Sequence, residues 1–181
     1  MKKIALLGTT GVGKDTCVKI IKTQFSHLKI KYIRLADPLY LAQQAIYKIC
    51  GKEKDFSTQD GELLNFLGSH MRKINPNVLQ EHFSKSLNNI TSDIDLIICM
   101  DVRPKDISFV KKEDFFLVNI SAPPTVTLQR RKNRNDLSLG SSHHPTEQGL
   151  SPKLIDAHIE NNGTLDEFKE KVKFLITRVM K

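Results

Sequence analysis

At 181 residues the chain is long enough for one well-cored domain and short for two. With 39% hydrophobic and 27% charged residues it has the balance of an ordinary globular protein, and no apolar run approaches the roughly 20 residues that span a bilayer, which excludes a transmembrane helix. The net charge of +8 invites polyanionic partners, but the lysines are spread from Lys2 to Lys181 and only Arg130-Arg131-Lys132-Asn133-Arg134 is dense; such a distribution steers small polyphosphates as well as nucleic acid.

The first element is a strand, Ile4-Ala5-Leu6-Leu7, running straight into Gly8-Thr9-Thr10-Gly11-Val12-Gly13-Lys14-Asp15-Thr16. The glycines cut the basic, apolar start too short for a secretory signal. Their spacing is that of a phosphate-binding loop: Gly8, Gly11 and Gly13 let backbone N–H groups approach phosphate oxygens where a Cβ would intrude, and Lys14 reaches the outer phosphates. Asp15 to Lys22 carries apolar residues at helical spacing, so the loop opens a helix whose N-terminal dipole faces the same anion. Gly11, Val12, Gly13, Lys14, Asp15 and Thr16 are therefore the expected ATP contacts. Asp15 stands where a Ser or Thr is usual. An acid beside phosphates calls for a cation between them, so Asp15 reads as a Mg²⁺ or Mg²⁺-water contact, with helix capping as the alternative.

Ile30 to Ala36 is β-prone and ends at Asp37-Pro38, placing Asp37 where parallel α/β sheets hold their ligands, or as an N-cap. Pro38 starts a helix that Gly51 ends. Helical patterns over Gly61–Arg72 and Asn77–Ile90 complete a substrate-binding arm over 51–90. Ile94 to Met100 is a continuous apolar run, the pattern of a strand buried on both faces, and it finishes in Asp101, a position suited to a second magnesium contact. Arg103 follows, as a phosphate ligand or a surface arginine. Pro104–Glu113 reads as a short helix and Phe115–Ile120 as another buried strand.

Thr125 to Arg134 reads as a helix on which Arg130 and Arg134, four apart, and Arg131 and Arg134, three apart, share a face that is unfavourable unless an anion bridges it; a solvated basic face is the alternative. The stretch 135–150 lacks an apolar period and is too long for an ordinary connection, so 123–150 is expected as a lid. His143 and His144 lack partners at ligand spacing and do not make a metal site; Glu147 orients a lid residue or is plain surface. Ile155–Ile159 reads as the last strand and Asn161-Asn162-Gly163 as its turn. Thr164 and Glu167 form a capping pair at the start of the last helix. Cys17, Cys50 and Cys99 are odd in number, widely spaced and set in apolar patterns, which favours buried thiols in a reducing cytoplasm over disulfides or zinc. Five strands alternating with helices through right-handed crossovers give a three-layer α/β/α fold with a five-stranded parallel sheet and a helical insertion, expected as a single domain over 1–181.

The Gly-Lys-Asp-Thr loop, Ala36-Asp37-Pro38-Leu39, Leu67 to Arg72, Asp101-Val102-Arg103-Pro104 and the closing Ile159 to Leu165 together resemble the deoxynucleoside monophosphate kinase-like P-loop kinases over nearly the whole chain. The resemblance implies ATP-dependent phosphoryl transfer to a nucleoside monophosphate with Mg²⁺. It implies donor phosphates held by Lys14 and the loop amides, Mg²⁺ organised by Asp15 and Asp101, and Arg72 and Arg103 on the acceptor phosphate. Asp37 falls to the acceptor or its magnesium water, and Arg130 and Arg134 to charge on the transferring group. His144-Pro145-Thr146-Glu147 resembles a family element only loosely. The expected partners are small nucleotides, with no stable nucleic-acid complex and no membrane, in a monomer or homodimer. A kinase of dephospho-CoA or phosphomevalonate and a nucleic-acid-stimulated ATPase are the rival readings. Against a GTPase switch stands the lack of an Asn-Lys-x-Asp motif, and against nucleic acid the lack of aromatics among the basic residues.

Overall fold

A computed structural model describes residues 1–53, 60–133 and 154–181. In chain order the elements are β1 (Lys2–Leu7), α1 (Lys14–Gln24), β2 (Ile30–Ile33), α2 (Asp37–Ile49), α3 (Gly61–Ile74), α4 (Val78–Asn88), β3 (Leu96–Cys99), α5 (Ile107–Lys112), β4 (Phe116–Ser121), α6 (Pro124–Asn133), β5 (Ala157–Glu160) and α7 (Leu165–Met180). The five strands make one parallel sheet in the order β2-β3-β1-β4-β5, as the alternation of strands and helices required.

The central strand β1 pairs with β3, Ala5 opposite Cys99, and with β4, Leu7 opposite Asn119, while β4 pairs onward with β5. One face of this sheet gives Ile4, Leu6, Ile98, Val118, Ile120 and Ile159 to a core completed by Cys17, Ile20 and Ile21 of α1 and Phe168, Val172 and Ile176 of α7. The alternate residues Ala5, Leu7, Ile97, Cys99 and Leu117 are equally buried, so both faces are covered, which is why these strands read as unbroken apolar runs.

By its internal contacts the chain divides into two compact units: residues 1–32 with 91–181, which contain the strands β1, β3, β4 and β5, and residues 33–90, which contain α2, α3 and α4. Within the second unit one polar cluster ties α2 to the start of α3. Asp60 caps α3, its carboxylate accepting from the Leu63 amide at 3.1 Å and from the Tyr47 hydroxyl at 2.6 Å, while its own amide donates to the fully buried Gln43 at 3.0 Å.

Two sequence alternatives are corrected here. Asp15 does not cap α1: the cap is Gly13, in a left-handed conformation, and Asp15 is an exposed residue of the first turn. Asp37 does not cap α2 either; Ala36 does, and Asp37 is the first helical residue, ahead of Pro38. The second strand is also shorter than its β-prone sequence, ending at Ile33 because Leu35 and Ala36 turn into α2.

Candidate functional site

The loop between β1 and α1 is shaped by what packs against its glycines. Gly8 has φ +129°, and a Cβ there would lie 2.2 Å from the Ile120 carbonyl of β4. Gly13 has φ +107°, and its Cβ would lie 2.5 Å from Nδ2 of Asn161. Both positions therefore exclude a side chain by conformation and by space. At Gly11 the neighbour is helix α6, with the Thr127 carbonyl 2.9 Å and Arg131 Cγ 3.3 Å from where a Cβ would sit. The sheet order, with β1 beside β4 and β4 beside β5, brings these remote segments to the loop.

Lys14 opens α1, and its ammonium group folds back on the loop, donating to the Gly8 carbonyl at 2.5 Å and the Thr9 carbonyl at 3.1 Å. Helix α1 then starts without a side-chain cap, leaving its first amides to the dipole-favoured side of an anion. Asp101 lies two residues beyond Cys99 of β3, at the edge where β1 runs into Gly8. It is half-buried, and its Oδ1 accepts from the Cys99 thiol at 3.3 Å. Arg103 is exposed, in an extended backbone conformation before Pro104.

On α6, Arg130 donates through Nη2 to Oδ1 of Asn161 at 3.3 Å, while its Nη1 is buried without a hydrogen-bond partner among the described residues. Nε of Arg131 is buried and unpartnered in the same sense. Orphaned buried donors cost about 1–3 kcal/mol each, so two guanidinium groups holding them beside a phosphate-type loop fit an anionic ligand. Asn161, itself 5% exposed, donates from Nδ2 to the Val12 carbonyl at 2.8 Å and from its backbone to the Ser121 carbonyl at 2.7 Å.

Asp37 and Arg72 belong to the second unit. Arg72 is half-buried near the end of α3, where Nη1 donates to the Gly68 carbonyl at 2.8 Å. Gly68, expected to weaken that helix, is buried in it: a Cβ there would crowd Arg72 Nη1 at 3.2 Å and Leu39 at 3.4 Å. Arg134, His143, His144 and Glu147, with the rest of the expected lid beyond residue 133, lie outside the described residues.

Lys14, Asp15 and Thr16 with the loop glycines, Arg130 and Asp101 thus belong to one unit, on the carboxyl edge of one sheet or the helices that flank it. The sequence singles out Arg130 and Arg134 as ligands, sets Arg131 on their face by its spacing alone, and places Asn161 in a turn. Arg131 stood in the basic cluster and Asn161 in the closing motif, but what each touches is set by sheet order. Among the described residues no group of three or more His, Cys, Asp or Glu could hold a metal ion by itself. Asp15 and Asp101, the two expected Mg²⁺ contacts, both offer carboxylate oxygen, the donor type that suits Mg²⁺ completed by phosphate oxygens and water.

No protein-family profile matches the chain, and no curated protein does. Solved structures do. A Thermus thermophilus protein aligns with a TM-score of 0.57 at 14% identity, over 98% of this chain and 97% of that one. APS kinase of Mycobacterium tuberculosis, in complex with AMPPNP and APS, aligns at 0.56 and 17% identity, over 97% of both chains. Shikimate kinase of Acinetobacter baumannii, in complex with shikimate, aligns at 0.53 and 14% identity, over 100% of this chain and 96% of its own. The fold is that of the P-loop kinases, an α/β architecture on a five-stranded parallel sheet.

Proposed function

We propose that the protein transfers the γ-phosphoryl group of ATP to a nucleoside monophosphate, giving the diphosphate and ADP. The observation that carries the transferase reading is the pair of guanidinium groups, Arg130 and Arg131, with buried donors that have no partner among the described residues, on the helix packed against Gly11 of the phosphate loop. The nucleotide acceptor rests on the sequence resemblance, with Arg72 and Arg103 as its phosphate ligands and Asp37 beside them in role. APS kinase and shikimate kinase, which align over nearly the full length, are kinases of small acceptors, and this supports the coarser class.

Lys14 and the loop amides bind the donor phosphates. To do so Lys14 exchanges its bonds to the Gly8 and Thr9 carbonyls for phosphate oxygens, a swap between hydrogen bonds of similar geometry. Asp15 and Asp101 would hold Mg²⁺, which when bound neutralises charge on the donor phosphates. The acceptor phosphate is largely ionised near neutral pH, so the reaction needs no strong general base. Arg130, with Arg134 beyond the described residues, stabilises charge on the transferring group, and positioning does the rest.

The test is ADP production from MgATP with nucleoside monophosphates, dephospho-CoA, phosphomevalonate, APS, shikimate and single-stranded DNA supplied separately. Turnover with one or more nucleoside monophosphates is expected. Turnover with another acceptor alone reassigns the acceptor, and stimulation by DNA alone overturns the kinase reading.

A further inference from the structure

We infer that Asn161 is a positioning residue that couples the phosphate loop to the arginine helix, so that loop and Arg130 are set as one piece. The inference rests on the reading of the loop as the donor-phosphate site.

Asn161 follows β5 directly and is fixed there by its backbone bond to Ser121, three residues before α6 begins. Its side chain then faces two ways. Nδ2 donates to the carbonyl of Val12, between the loop glycines Gly11 and Gly13. Oδ1 accepts from Arg130 Nη2. One partner is a pure acceptor and the other a pure donor, so the orientation of the amide is settled by its neighbours. Aspartate keeps the acceptor for Arg130 but sets a carboxylate oxygen against the Val12 carbonyl. Serine and alanine cannot span both. The closeness of Nδ2 to Gly13 also gives that glycine a second reason to lack a Cβ, since the amide fills the space one would take.

Burial makes this bridge selective. Asn161 is nearly inaccessible to water, so each bond lost leaves an unsatisfied group on both sides. Holding Nη2 leaves Nη1 of Arg130 as the buried donor without a partner among the described residues, the one available to an anion. Asn161 thereby sets which edge of the guanidinium is offered to the ligand, without touching the ligand itself.

The experiment is amide hydrogen exchange on the ligand-free protein and its Asn161→Ala and Asn161→Asp variants, paired with steady-state kinetics. In Asn161→Ala, exchange in residues 9–14 and in 124–133 is expected to accelerate about tenfold, the equivalent of one net hydrogen bond, while β1, β3 and α7 keep the parent rates. Asn161→Asp, nearly isosteric, is expected to loosen the loop and leave α6 protected. In kinetics, Asn161→Ala should lower kcat on the order of tenfold to a hundredfold, and combining it with Arg130→Ala should cost less than the product of the two. Unchanged exchange in both segments overturns the inference. So does acceleration spread evenly through the sheet and α7, the pattern of a residue that serves the core alone. If the parent phosphorylates no acceptor, the kinase reading fails while the exchange data still decide the coupling.

Discussion

The ammonium group of Lys14 rests 2.5 Å from the carbonyl oxygen of Gly8, six residues back along the same loop. The loop thus carries its own stand-in for a phosphate oxygen, and the lysine is held in the loop instead of ranging through solvent. Lys14→Ala removes the ammonium group that exchanges this carbonyl for phosphate oxygens once a polyphosphate binds. Losing one preorganised donor at a developing charge costs about 10²–10³ in turnover, so kcat should fall by that factor with little change in thermal midpoint. Parallel ADP-release assays and melting curves on the purified variant check it, and a variant with near-parental kcat contradicts the assignment.

Gly13→Ala should be harsher on the fold. The added methyl would sit 2.5 Å from Asn161 Nδ2 at a residue whose φ of +107° already disfavours a side chain. Left-handed strain and overpacking each cost about 1–3 kcal/mol. The expected outcome is a drop in thermal midpoint of several degrees, about 2–4 °C per kcal/mol at this size. Nucleotide affinity should fall with it, readable by calorimetric titration with MgADP.

The arginines should show the opposite balance. In the ligand-free protein Arg131 Nε is a buried donor without a partner among the described residues, so truncating that side chain removes a desolvation cost along with its packing. For Arg131→Ala the thermal midpoint should stay within about 2 °C of the parent while kcat/KM for ATP falls at least tenfold, a trade of function against stability. Melting and initial-rate curves on the one variant decide it; a large loss of stability with normal kinetics would make Arg131 a packing residue.

What the sequence could and could not show follows from how far apart the partners lie along the chain. The phosphate loop was legible because all its determinants fall within a few residues: a strand, glycines at fixed spacing, a lysine and a helix. The buried strands were legible from unbroken apolar runs, and Thr164 with Glu167 forms the expected capping box. The contacts of Arg131 and Asn161 were not, because they depend on β4 lying beside β1 and β5 beside β4, which places residues more than a hundred positions away against Gly11 and Gly13. The capping alternatives for Asp15 and Asp37 fail for a different reason. Composition favours Asp at a cap, but the first helical residue is fixed by backbone conformation, and at α1 the left-handed Gly13 takes the position one residue before Lys14.

Helix α7 offers a test of the capping box alone. The Thr164 hydroxyl accepts from the Glu167 amide at 3.2 Å, and the Glu167 carboxylate accepts from the Thr164 amide at 2.8 Å. Thr164→Ala breaks one of the two and should cost about 1 kcal/mol, or about 2–4 °C, without altering kinetics. Denaturant melts with an unchanged m-value would confirm that only the native state was affected.

Burial of Cys17 in the core between α1 and the sheet pushes its thiol pKa up to about 12, from an ordinary 9.0, because the thiolate cannot be solvated there. The unfolded chain ionises this group first. The stability it contributes is therefore complete below the unfolded value near 9 and is lost as pH rises toward 12. Between those limits the unfolding free energy should fall more steeply in the parent than in Cys17→Ala, whatever the cavity costs that variant in absolute terms. Chemical denaturation at intervals from pH 8 to 11 measures the two slopes. Cys50, expected from its apolar pattern to be buried, is exposed, so a thiol reagent at neutral pH should label Cys50 and leave buried Cys17 and Cys99 untouched until denaturant is added. Equal slopes in parent and variant, or rapid labelling of Cys17 in the native protein, would mean that water reaches the core beneath the phosphate loop.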